Sequence, residues 1–141
     1  MNSPLFRLAL SRFKLVITTR GRLPYTSKQK LTIDEKGQCS FSFQPDQVGS
    51  NEVIEKFTIN KAKVKKIPQI IQKNDFPNIQ SRDSGILDGD QVQMTITSGT
   101  KKHSVTLTNF KDEKFNKIIR ALNKILPKQY RVSYNALVLE R

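Results

Sequence analysis

Residues 13–19 alternate, with Phe13, Leu15 and Ile17 on one parity and Lys14, Val16 and Thr18 on the other. A strand turns its side chains to opposite faces at every residue, so this pattern predicts a β-strand with one face buried. Leu31 and Ile33 repeat the alternation, Asp34-Glu35-Lys36-Gly37 interrupts it, and Cys39, Phe41 and Phe43 resume it. The arrangement predicts a hairpin whose turn ends on Gly37, because glycine reaches positive φ without a steric penalty. The same parity sends Cys39 inward among phenylalanines, as a protonated and inert core thiol. After a loop over residues 44–51 that holds Pro45 and Gly49, residues 53–59 read as a fourth strand with Glu55, Phe57 and Ile59 in step.

Beyond Asn60 the period changes. Val64, Ile67, Ile70 and Ile71 recur at spacings of three and four, which places them on one face of a helix capped by Asn60. Pro68 falls inside that pattern and either kinks the helix or marks its true first turn. The helix ends before Asn74, Phe76 and Pro77. Residues 80–90 are rich in turn formers, and a second hairpin follows: Val92, Met94 and Ile96 lead into a turn at 98–101, and His103, Val105 and Leu107 return. The Thr, Ser and Gln residues between them suit a solvated sheet face. Phe115, Ile118, Ile119, Leu122, Ile125 and Leu126 form the clearest helical stripe, opened by Asp112 and Glu113 and closed by Lys124 and Pro127, in keeping with the helix dipole.

These elements predict an α+β domain of order ββββαββα, an antiparallel sheet with both helices on one face and the other face largely open. The domain spans residues 13–127, behind a basic N-terminal arm at 1–12 and ahead of a tail at 128–141. In that tail Tyr130, Val132 and Tyr134 alternate and would suit an edge strand. A chain of 141 residues is sized for one core.

Charge adds a second layer. The formal net charge is +13, of which residues 1–33 carry +7, residues 34–110 carry +1 and residues 111–141 carry +5. Ends brought together by the fold would form a patch attractive to phosphates, acidic lipids or an acidic protein, whereas a dispersed arrangement would be a solvated surface. On the two helices, Lys61, Lys63, Lys65 and Lys66 together with Lys114, Lys117, Arg120 and Lys124 are positioned to grip a phosphate backbone. The phenylalanines fall on core parity, so a base-stacking platform on the sheet is not expected.

Reactive chemistry is sparse. His103 is the only histidine and Cys39 the only cysteine, which precludes a multi-histidine or thiolate metal site and an intramolecular disulfide. His103 reads as a packing residue near a chain turn. No glycine spacing matches a phosphate-cradling loop, and Asp83, Asp88 and Asp90 lack the terminal glutamate of a calcium loop. The expectation is a domain without catalysis and without a cofactor. The first apolar stretch is broken by Arg7, Arg12 and Lys14, so neither a membrane span nor a secretory leader is expected, and a single thiol fits a reducing cytoplasm. The acid-free start also has the composition of an organelle import segment, although the strand beginning within it favours an arm.

Leu31-Thr32-Ile33-Asp34 with Gly37, then Phe57-Thr58-Ile59 ahead of a helix ending near Asp75-Phe76, form one set of local signatures. Asp88-Gly89 before Gln93-Met94-Thr95-Ile96-Thr97, then Gly99 and His103-Ser104-Val105, form another. Over residues 13–126 this pattern resembles the emfourin-like family of small bacterial domains, which includes inhibitors of thermolysin-like metalloproteases. The resemblance implies a protein-binding domain that occupies a protease cleft, and the basic, Arg-containing start departs from it. Two rigid loops have the shape for such a contact: Asp83, Ser84, Gly85, Asp88 and Asp90 in one, Ser98, Gly99 and Thr100 in the other. The alternative partner is RNA, DNA or another polyanion, held by the helical lysines.

Overall fold

A computed structural model describes residues 12–21, 28–44, 52–85, 90–134 and 137. Strand β1 (Phe13–Arg20) lies inside the sheet because an antiparallel strand pairs along each of its two sides. The meander β2 (Lys28–Asp34), β3 (Gln38–Gln44) and β4 (Val53–Thr58) runs outward from one side, and β6 (Gln91–Ser98) followed by β7 (Lys101–Thr108) runs outward from the other. The remaining strand, β5, is the two-residue segment Arg82–Asp83, which pairs in parallel with Leu107 and Thr108 of β7. The sheet order is thus β4-β3-β2-β1-β6-β7-β5.

The α+β class and the mainly antiparallel sheet agree with the pattern in the sequence. The strand count does not: among the described residues β5 makes seven strands rather than six, and it is too short to show any alternation. The described part of the tail, residues 128–134, is not an edge strand. Lys128–Tyr130 forms a 3-10 turn, and residues 131–134 continue outside the sheet. Their alternation is real, with Tyr130, Val132 and Tyr134 all buried. Its cause is an extended segment whose backbone partner is a helix side chain. The Asn123 amide donates to the Val132 carbonyl at 2.9 Å and accepts from the Val132 N–H at 2.8 Å, taking the place of a neighbouring strand.

Register carries the inward parity straight across the sheet. Leu15 stands opposite Ile33 and Ile96, Ile17 opposite Leu31 and Met94, and Met94 opposite Val105. Leu15, Ile33, Met94, Ile96 and Val105 are completely buried. Onto this face pack α2 (Lys66–Lys73) through Ile67, Pro68 and Ile71, and α3 (Glu113–Ile125) through Phe115, Ile118, Ile119, Leu122 and Ile125. A one-turn helix, α1 (Lys61–Val64), leads into α2.

The break between α1 and α2 settles the role of Pro68. Proline has no N–H to offer the Val64 carbonyl, and its ring crowds that carbonyl, so the helix restarts with Pro68 in the first turn of α2. Asn60 caps α1 by accepting from the Lys63 N–H, and Asp112 caps α3 by accepting from the Phe115 N–H, each at 2.9 Å. Such caps each contribute about 1 kcal/mol by satisfying a helix-end donor.

Candidate polyanion interface

The parity that buries one face of the sheet fixes what the other displays. Register aligns Lys14, Val16, Thr18 and Arg20 of β1 with Asp34, Thr32, Lys30 and Lys28 of β2, and with Thr97, Thr95, Gln93 and Gln91 of β6. Farther out come Ser40 and Ser42 of β3, Lys56 of β4, and Lys102, Ser104 and Thr106 of β7. Lys14, Arg20, Lys28, Lys30, Lys56 and Lys102 are all exposed. At the usual strand spacing of about 4.8 Å they are spread over about 24 Å from β4 to β7.

Among the described residues two strand carboxylates share this face, and both are occupied by local turns. Asp34 Oδ1 accepts from the N–H groups of Lys36 and Gln38, each at 2.9 Å. Asp83, on the far margin opposite Thr108, accepts from the Gly85 N–H at 2.8 Å. Between the cations the hydroxyls and amides bond to one another. Thr95 Oγ1 meets Ser104 Oγ at 2.8 Å, Gln93 Nε2 donates to Thr106 Oγ1 at 3.1 Å, and Thr32 pairs with Ser40.

The densest charge lies at one end of the β1–β2 pair. Arg20 stands directly opposite Lys28, Lys30 is two residues along, and the cross-strand neighbours are Thr18, Ser42, Gln44 and Gln91. Like charges facing across a ladder are destabilising, by a few tenths of a kcal/mol up to about 1 kcal/mol per pair. A bound anion would reverse the sign of that contribution.

The helical cations do not gather into one patch. Lys66, Lys117 and Lys124 line an open groove between α2 and α3, joined by Lys73. Lys61 and Lys65 lie elsewhere, beside Phe13, Glu35 and Lys36. Lys114 pairs with Asp75 at 3.9 Å, and Arg120 Nη2 donates to the Leu137 carbonyl at 3.4 Å. Lys63 is exposed on α1.

Nor are the two candidate loops neighbours. Asp83, Ser84 and Gly85 sit beside the C-terminal end of β7, where the Ser84 N–H donates to Thr108 O at 3.0 Å. Asp90 is half-buried there, its carbonyl accepting from the Asn109 N–H at 3.0 Å. Asp88 lies outside the described residues. The 98–101 tip is at the other end of β7, about 20 Å away at the usual rise per residue. In that tip Gly99 and Thr100 are exposed, whereas Ser98 is 9% exposed and turned into the protein.

His103 is half-buried, with Nε2 3.2 Å from the Ile79 carbonyl and its ring edge-on to Phe76 at 5.0 Å. Cys39 is buried, its S–H directed at the Gly37 carbonyl at 3.5 Å. Burial and the nearby Asp34 charge push its pKa up to about 12. The Glu55 carboxylate accepts from the Tyr130 hydroxyl and raises the phenol's pKa. Among the described residues, no three His, Cys, Asp or Glu side chains converge as metal ligands, and no helix is long and apolar enough to cross a membrane.

Sequence reasoning placed the polyanion candidates on the helices and passed over the sheet. The signal was present in the strand parity: Lys14, Arg20, Lys28, Lys30, Lys56 and Lys102 all occupy the positions opposite to the core residues of their own strands. No protein-family model matches the sequence, and no curated protein matches it.

Proposed function

We propose that this protein is a non-catalytic module that binds nucleic acid through its phosphate backbone, using the open face of the sheet. The observation that carries this reading is the Arg20–Lys28–Lys30 cluster, a like-charge pairing across β1 and β2 on a face whose other described strand positions are mainly hydroxyls and amides, with Val16 and Ile54 among them. Such a surface attracts phosphates, and its described strand positions carry no aromatic side chain that would stack on bases. Affinity therefore comes mainly from counterion release and is nearly independent of sequence. Thr and Ser hydroxyls between the cations supply neutral donors to phosphate oxygens.

The test is a salt series with a labelled DNA duplex. If about five phosphates are engaged, log K falls against log salt with a slope near −4 to −5. The Lys28→Glu/Lys30→Glu variant should reduce that slope by about 2 and weaken binding more than about ten-fold at moderate salt. Both substitutions lie on exposed positions, so the melting temperature should stay near that of the parent. A slope shallower than about −1, or unchanged affinity in the double variant, would remove the proposal.

A second reading is favoured by the exposed hairpin tip at Gly99 and Thr100, held out by the two eight-residue strands β6 and β7. On this reading, for which the emfourin-like resemblance is the other support, the tip enters a protease cleft. Inhibition of a thermolysin-like protease by micromolar protein, abolished by a bulky Thr100→Trp substitution, is the expected result. Full protease activity at that concentration would eliminate it.

A further inference from the structure

The groove between α2 and α3 has a different composition from the sheet face. Ile70, Ala121 and Ile125 give it an apolar lining, Lys66 and Lys73 line it from α2 and Lys117 and Lys124 from α3, and Gln69 and Asn74 add neutral polar groups on the α2 side. The volume is about 790 Å³, and no carboxylate is among the described residues that line it. Lys66 and Lys73 are seven residues apart, as are Lys117 and Lys124, so each helix presents a pair of cations separated by two turns, about 10.5 Å. A narrow apolar strip edged on both sides by charges of one sign, repeating at seven residues, is the complement of a particular object. That object is an amphipathic helix whose a and d positions are apolar and whose flanking e and g positions are acidic.

We propose that this groove binds an acidic amphipathic helix of a partner protein, laid along α2 and α3 as a further helix of that layer. Its apolar stripe would cover Ile70 and Ala121, both of which are only partly buried. Its carboxylates would meet the four lysines, whose aliphatic stems extend the apolar walls. Neither contact suffices alone: exposed ion pairs are weak, and the floor is too small to hold a helix by burial only.

The experiment uses the full chain and a synthetic peptide of two heptads with Leu at a and d, Glu at e and g, and Ala and Gln elsewhere. Anisotropy titration should show saturable binding. Serine in place of the leucines, Ala121→Gln in the protein, or the neutral pair Lys117→Gln/Lys124→Gln should each weaken it at least about ten-fold. Ala121→Gln fills the floor without altering charge, and a thermal melt matching the parent shows that the fold is intact. Lys28→Glu/Lys30→Glu on the opposite face should leave peptide binding unchanged, so failure here is distinct from failure of the nucleic-acid reading. Equal affinity for the serine peptide, no effect of Ala121→Gln, or displacement of the peptide by a DNA duplex would overturn the proposal, since each would reduce the groove to a site of general charge attraction.

Discussion

Replacing Gly37 by alanine is expected to lower the melting temperature by about 10 °C, a loss of about 3 kcal/mol. Gly37 closes the β2–β3 turn at φ 84°, a region that alanine enters only under strain. The added methyl would also collide with the carbonyl oxygen of Ile59 and come within 3.0 Å of Val64 Cγ2. Neither neighbour moves easily. The Ile59 N–H donates to the Gly37 carbonyl at 2.9 Å, and Val64 is a core residue at the end of α1. The glycine thus sits where the first hairpin touches the passage from β4 into the helices, and a shift there disturbs both layers. A thermal melt by circular dichroism checks this, and a midpoint within about 2 °C of the parent would show that the turn relaxes freely.

A second large effect is expected from Phe115→Ala. Phe115 is completely buried in the first turn of α3, and removing a ring of this size costs about 3–5 kcal/mol through lost contacts and the cavity left behind. The loss should spread to the C-terminal segment. The Phe115 ring meets Tyr134 edge-on at 6.3 Å, and the adjacent, fully buried Asn116 accepts from the Tyr134 hydroxyl. Besides a large drop in melting temperature, trypsin should cleave after Arg131 faster than in the parent. Parental cleavage kinetics in a destabilised variant would mean that the tail holds on independently of this ring, through the Asn123 clamp on Val132 and the stacking of Tyr130 on Phe57 at 4.1 Å.

The sequence made the parity of the long strands legible, because a buried face forces one residue type onto every second position. Leu15, Ile17, Leu31, Ile33, Met94 and Val105 are inward in the structure as the alternation requires. The caps at Asn60 and Asp112 were legible for a similar reason, since a short polar side chain before a helical stripe has few other uses. Strand order was less accessible. Local hairpins determine that β2 follows β1, but nothing local says that β6 docks on the free side of β1. The two residues of β5 carry no period, and the partner of Val132 is an amide side chain nine residues earlier.

The candidate surfaces divide along the same line. Cations on the two predicted helices looked like one surface, yet Lys114 and Arg120 have partners of their own, and Lys61 and Lys65 face a different part of the fold from Lys117. Whether charges from separate elements share a surface is a tertiary property. The sheet cations are the exception, because parity assigns them to the outer face once the core positions are known.

Odd and even places along β1 answer to different demands: Leu15 and Ile17 are held by the interior, while Lys14 and Arg20 are exposed. Mutation can therefore recolour the exterior from cationic to neutral, or to acidic, at almost no expense to folding. Homologues of this scaffold should differ far more in the electrostatic character of that surface than in the identity of the residues beneath it.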